Sequence, residues 1–185
     1  MKSVQMSELG TSSVSLCCAL LFESLRCIYD ADLVVRRSAM AALRKLVTDM
    51  KTWISSSQAT DGQVSFEVAW MDVLKSTLMP AVKKGLKEQC SDDVNKCFVQ
   101  IFAHCVAEFS QYPMDSLFYD QLRTCCHLDL VILHNEDADL NFFENITHIQ
   151  VHRRMRALNK LRRMIVSWQY PDQPLPLVVT DTSTS

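Results

Sequence analysis

Glycine is nearly missing from this chain. Three glycines in 185 residues cannot build a phosphate-cradling loop, and no P-loop, Gly-x-Gly-x-x-Gly or Gly-x-Ser-x-Gly occurs. With only five prolines beside them, the turn residues that an all-β chain needs are also scarce. No Cys-x-x-Cys is present, so a zinc site lacks its usual short clamp. Long apolar runs are absent too. Val14–Phe22 is a short apolar stretch, and a membrane span takes about 20 residues. It has no small-x-small cleavage site, and Glu8 lies upstream, so it does not read as a signal peptide and the cell interior is expected. The net charge of −2 excludes a chain that is basic overall, so a nucleic-acid partner would have to be met by local charge.

What is present is helix-forming. The chain is 48% hydrophobic, enough for one domain with a real core or for a few stacked units of an array. Eight cysteines fall largely within apolar helical patterns. Two pairs, Cys17-Cys18 and Cys125-Cys126, are adjacent and cannot bridge internally without strain. They read as free, buried thiols in a reducing compartment. Cys125-Cys126-His127 and His104-Cys105 place ligand types side by side, but neighbours on a helix point apart, so buried structural residues are expected. Glu136, Asp137 and Asp139 lack the spacing and glycine of a calcium loop. No cofactor and no metal are expected. Asn145-Ile146-Thr147 matches the glycosylation sequon, which matters only in a secreted protein.

Along the chain, residues 1–14 are polar and read as a flexible N-terminus. Leu16, Leu20, Leu21, Leu25 and Ile28 recur at helical spacing over about 15–29. Asp30-Ala31-Asp32 supplies a turn and an N-cap. A second helix follows over about 33–53, with Val35, Ala39, Ala42, Leu43, Leu46 and Met50 on one face and Arg36 and Arg44 beside it. Residues 55–63 form a polar loop. A third helix runs from about 65 to 88, broken or kinked by Pro80. Ser91, followed by Asp92 and Asp93, caps a fourth helix that reaches about Phe109. A fifth spans about 115–133. Residues 134–144 are an acidic loop, and a sixth helix covers about 145–168. The tail from 169 to 185 has three prolines, no helical pattern and little to bury, and reads as disordered.

Helix, turn, helix, repeated, suggests an all-α, HEAT-like α-solenoid of antiparallel pairs over 15–168. Residues 35–46 (VRRSAMAALRKL) resemble the inner helix of a HEAT repeat. Residues 94–105 and 151–162 keep the apolar spacing more weakly. The starts lie 59 and 57 residues apart, longer than the ~40–47 of a HEAT unit, so loop insertions are required.

The sixth helix carries the strongest charge signal. Arg153, Arg154, Arg156, Lys160, Arg162 and Arg163 fall in one short run, with no acid from Asn145 to Pro171. On a helical wheel, Val151, Met155, Leu158, Leu161, Ile165 and Val166 share one arc. His152, Arg153, Arg156, Lys160 and Arg163 share the other, while Arg154 and Arg162 sit in the apolar arc and must snorkel or pair. Cations at i, i+4, i+8 repel by a few tenths of a kcal/mol per pair, so such a helix calls for an anion. Three could answer: the chain's own acidic loop at 136–144, an RNA phosphate backbone, or an acidic partner protein. The basic run has no interleaved aromatics, so an RNA contact would follow backbone and shape rather than sequence.

The stretch FFENITHIQVHRRMRALNKLRR resembles a segment of the component 20 family of the small-subunit processome, also called down-regulated-in-metastasis proteins. Phe142, Phe143, Glu144, Asn145, His148, Ile149, Gln150, His152, Arg153, Arg154, Arg156, Ala157 and Leu158 carry the likeness, over roughly 25 residues. The resemblance implies very large HEAT-type scaffolds of the nucleolus that assemble the machinery processing pre-rRNA. It implies no enzymatic activity, a place in the nucleus and nucleolus, and pre-ribosomal proteins and the pre-rRNA backbone as partners. Met155 and the tail YPDQPLPLVVTDTSTS depart from the family pattern. The expected contact residues are Arg153, Arg156, Lys160 and Arg163, with His152 secondary. One rival reading is a HEAT-type protein adaptor that touches no RNA; the other is a thiol- or metal-dependent enzyme.

Overall fold

A computed structural model describes residues 2–56, 64–114 and 118–169, and the side chains of 14–53, 68–114 and 118–168. The fold is all-α, with no strand among the described residues. The chain divides into two compact units, Met1–His134 and Asn135–Ser185.

In the first unit α1 (Lys2–Cys27) is followed by α2 (Leu33–Ser56). The helical backbone of α1 starts at Lys2, within the stretch read from the sequence as a flexible N-terminus. The turn between them is built as expected from its acids. Asp30 Oδ1 accepts from the Asp32 amide at 2.8 Å, and Asp32 Oδ1 accepts from the Val34 amide at 2.7 Å, satisfying a donor that the helix start leaves open. Next come α3 (Val64–Val73), a π-helical turn (Leu74–Leu78) and α4 (Met79–Lys87). Pro80 explains the π turn: it has no N–H, and its ring clashes with the carbonyl a turn before it. The chain absorbs this with one wider turn, in which the Met79 amide reaches Leu74 O, and continues helical.

Helix α5 (Asp92–Ser110) opens with Asp92 and Asp93 at the positive end of its dipole. Ser91 holds the N-cap position but makes no side-chain capping bond. The single helix expected over 115–133 is two pieces among the described residues, α6 (Tyr119–Cys126) and a 3-10 helix (Leu128–Leu133). His127 separates them at φ 55°, ψ 51°, a left-handed conformation that ends an α-helix. Part of the polar loop at 55–63 and the tail from 170 onward lie outside the described residues.

Packing runs α1 on α2, α2 on α5 and α4 on α5. Leu21 and Leu25 of α1, with Ile28 in the turn after it, meet Leu43, Leu46, Val47 and Met50 of α2 and Phe98, Ile101, Cys105 and Phe109 of α5 in one buried cluster. Ala39 is buried as the HEAT-like reading of α2 expects, but Ala42, and Leu16 and Leu20 of α1, face solvent. Gly85 of α4 lies against the Phe98 ring, where no side chain has room. A polar staple joins α2 and α5. Lys51 Nζ donates to Glu108 at 3.1 Å and Gln111 at 2.7 Å, and His104 Nε2 lies 3.1 Å from Arg44 O. All eight cysteines are free; Cys105 and Cys126 are buried, and the rest are partly so. Among the described residues no group of His, Cys, Asp and Glu could hold a metal, and no helix is long and apolar enough to cross a membrane.

Candidate anion-binding helix

The second unit holds the residues singled out by charge. Its backbone turns through Asn135–Leu140 into a short α7 (Phe142–Ile146), then breaks before α8 (Val151–Gln169). The helix expected from Asn145 therefore begins at Val151. The reason lies in two asparagines. Asn141 is the N-cap of α7: its Oδ1 accepts from the Phe143 amide at 3.0 Å and the Glu144 amide at 3.4 Å. Asn145 is 2% exposed, and its Nδ2 faces the carbonyls of Ala138, Asp139 and Asn141 at 2.9, 3.0 and 2.7 Å. It ties the acidic loop into a knot that a continuous helix could not make. With its amide buried and bonded, Asn145 cannot carry a glycan in the folded chain, whatever the compartment.

Arg153 closes this knot. Its Nε donates to Asn145 Oδ1 at 2.8 Å, its Nη1 lies 3.0 Å from His148 Nε2, and its Nη2 bonds Asp139. Only 19% of the side chain is exposed. Arg154, which the wheel placed in the apolar arc, does pair: Nη1 donates to His148 O and Ile149 O, both at 2.8 Å, and so stops the turn before α8. Lys160 Nζ donates to Leu140 O at 3.1 Å. The chain's own acidic loop thus engages two of the five expected contact residues, Arg153 and Lys160. His152, Arg156 and Arg163 are exposed, as is Arg162. No ion pair holds these arginines among the described residues.

The apolar arc behaves unexpectedly. The buried positions of α8 are Ala157 and Met164, with Arg153, Arg154, Lys160, Leu161 and Val166 partly covered. That face is rotated by about a third of a turn from the centre of the apolar arc. Val151 (62%), Met155 (53%), Leu158 (48%), Ile165 (42%) and Trp168 (55%) are exposed. The outward side of α8 therefore carries Val151, Met155, Leu158 and Ile165 around the exposed Arg162, edged by His152, Arg156 and Arg163. So much exposed apolar side chain on one side of a helix is uncommon on the free surface of a soluble protein. The sequence reading missed the knot of Asn141, Asn145 and Asp139, although Asn141 with Glu144 three residues on has the spacing of a helix start.

The chain is 27% identical over 143 residues to U3 small nucleolar RNA-associated protein 20 of Saccharomyces cerevisiae, covering 77% of this chain and 5% of that protein. It is 25% identical over 135 residues to the protein of the same name from Schizosaccharomyces pombe, covering 72% of this chain and 4% of that one. No family model matches the chain. No solved structure gives a significant match.

Proposed function

We propose that this chain is a helical segment of a component 20-type protein of the small-subunit processome, working without catalysis as a scaffold in nucleolar pre-rRNA processing and small-subunit biogenesis. The similarity to two U3 small nucleolar RNA-associated proteins over about three quarters of the chain supports this reading. So does the FFENITHIQVHRRMRAL stretch, whose Asn145 and Arg153 form the knot of the second unit. The scaffold's contact is the outward side of α8, and its partner is an acidic protein segment of the pre-ribosomal particle. The observation that carries this choice is the exposed apolar stripe beside free cations. A phosphate backbone would neutralise Arg156 and Arg163 but leave Val151, Met155, Leu158 and Ile165 in water. An amphipathic acidic helix covers both, supplying apolar anchors and a charged rim.

The test is sedimentation of the tagged full chain with pre-ribosomal particles from nucleolar extract. Met155→Asp with Leu158→Asp, and separately Arg156→Glu with Arg163→Glu, are each expected to move the chain from particle fractions to the top of the gradient. Cosedimentation of both variants at the original level would reject α8 as the contact. Failure of the original chain to enter particles would reject the processome reading itself.

A further inference from the structure

We propose that the first unit holds a separate anion site, the groove between the start of α2 and the first half of α5, and that its ligand is the phosphodiester backbone of RNA. The groove has a volume of about 460 Å³. Arg36, Arg37 and Arg44 line one wall; Asp93, Lys96 and Gln100 line the other. Asp93 is the acid of this lining; its side chain is 74% exposed and faces Arg36. Arg36 Nη2 lies 3.4 Å from Asp93 Oδ2, and its Nη1 donates to Asp30 O at 2.8 Å. Only 12% of the Arg36 side chain is exposed, so it acts as a fixed strut.

Arg37, Arg44 and Lys96 are exposed, and no ion pair holds them among the described residues. Arg44 has one long bond, 3.4 Å to Gln100 Oε1. Arg37 and Arg44 are two helical turns apart on one face, about 10 Å along the axis, with Lys96 on the facing helix. Three exposed cations, against the single carboxylate of Asp93, thus line a groove in a chain whose net charge is −2.

The lining decides between RNA and protein. Protein docking needs exposed apolar anchors. Here Met40 is buried, and Leu33 at the edge is the large apolar side chain of the lining that is exposed. Spaced cations with little apolar surface between them match a polyphosphate, which asks for charge and needs no anchor. Two of the three are guanidinium forks, which grip phosphate oxygens in pairs. No aromatic side chain lines the groove, so the contact reads backbone and not base. On α8 the balance is reversed, and the two surfaces therefore take different partners. This inference is independent of the α8 reading.

The test is anisotropy of a labelled, mixed-sequence single-stranded RNA titrated with the full chain between about 50 and 200 mM salt. Arg37→Gln with Arg44→Gln and Lys96→Gln is expected to weaken binding about tenfold or more and to lower the slope of log K against log salt by about 2, from three contacts at about 0.7 each. The Arg37→Lys, Arg44→Lys, Lys96→Arg chain retains the slope. Lys87→Gln, at an exposed lysine of α4 outside the groove lining, leaves it unchanged. Where the triple change disturbs helicity, Lys96→Gln alone gives the same loss at about a third of the amplitude. An unaltered slope in the groove variants, or loss of binding on the Lys87 change, would overturn the proposal. So would no RNA binding by the original chain, or tighter groove-dependent binding of polyglutamate than of RNA.

Discussion

Replacing Gly85 by alanine sets two opposed effects against each other. Gly85 lies within α4, where helix propensity alone makes alanine more favourable by about 1 kcal/mol. Packing acts the other way. A Cβ at this position would sit 2.4 Å from Cδ2 and Cε2 of Phe98 and 2.5 Å from Cγ, whereas ordinary contact begins at 3.4 Å. Phe98 is fully buried between helices, with its ring centroid 5.4 Å from that of Tyr29, so the required shift of about 1 Å has nowhere to go. Overpacking of this kind costs about 1–3 kcal/mol or more. With three atoms of a buried ring in the way the cost lies at the upper end, about 2–3 kcal/mol, so Gly85→Ala is expected to destabilise the chain by about 1–2 kcal/mol net. Chemical denaturation followed by far-ultraviolet circular dichroism gives the change. Phe98→Leu in the Gly85→Ala background should cost less than Phe98→Leu alone, because the clash is shared by the pair. A Gly85→Ala chain as stable as the original, or more stable, would refute the close approach of α4 and α5.

Three further outcomes are expected. Arg153→Ala should destabilise by about 2–3 kcal/mol, because it strips a charged donor from the buried Asn145 and from Asp139, while Arg156→Ala should lie within about 0.5 kcal/mol of the original; equal melting of the two variants would contradict the knot. Burial holds the His104 imidazole below its ordinary range, against the Arg44 carbonyl and Glu108, so the unfolded chain takes up its proton first; stability should fall as pH drops through about 6.5, and less so in His104→Gln, with parallel pH curves counting against it. A hydrogen bond from the Cys126 thiol draws Cys125 below the ordinary thiol range against its burial, with Lys83 and Lys75 adding to the effect, while burial pushes Cys105 up to about 12; brief iodoacetamide treatment at neutral pH should label Cys125 far ahead of Cys105, and equal labelling by mass spectrometry would refute this.

Much of the fold was legible because its signals are local. The Asp30–Asp32 turn, the start of α5 at Asp92 and the apolar spacing of α2 each depend on residues within a turn or two of one another. His127 was not legible, because a left-handed backbone at a non-glycine residue is set by packing rather than by propensity. The π turn before Pro80 was legible only as a kink. The face of α8 that is buried was the largest surprise. Periodicity found the apolar arc, but burial followed Arg153 and Lys160 toward the loop they bond, since the Asn145 knot fixes the helix rotation. Periodicity tells which residues share a face and not which face is covered. The α2–α5 groove escaped for a simpler reason. Arg37 and Arg44 lie some fifty residues from Lys96, and only packing of the two helices brings their charges together.

The most direct measurement places a photo-crosslinking amino acid at Met155, in the middle of the exposed stripe, in the full chain assembled into nucleolar particles. Crosslinks to an acidic helical segment of a pre-ribosomal protein, lost when Arg156 and Arg163 are changed to glutamate, are the expected result. Crosslinks to RNA alone would contradict the assignment of α8 to a protein partner, and the absence of any crosslink in particle-bound chain would show that this face is not the contact.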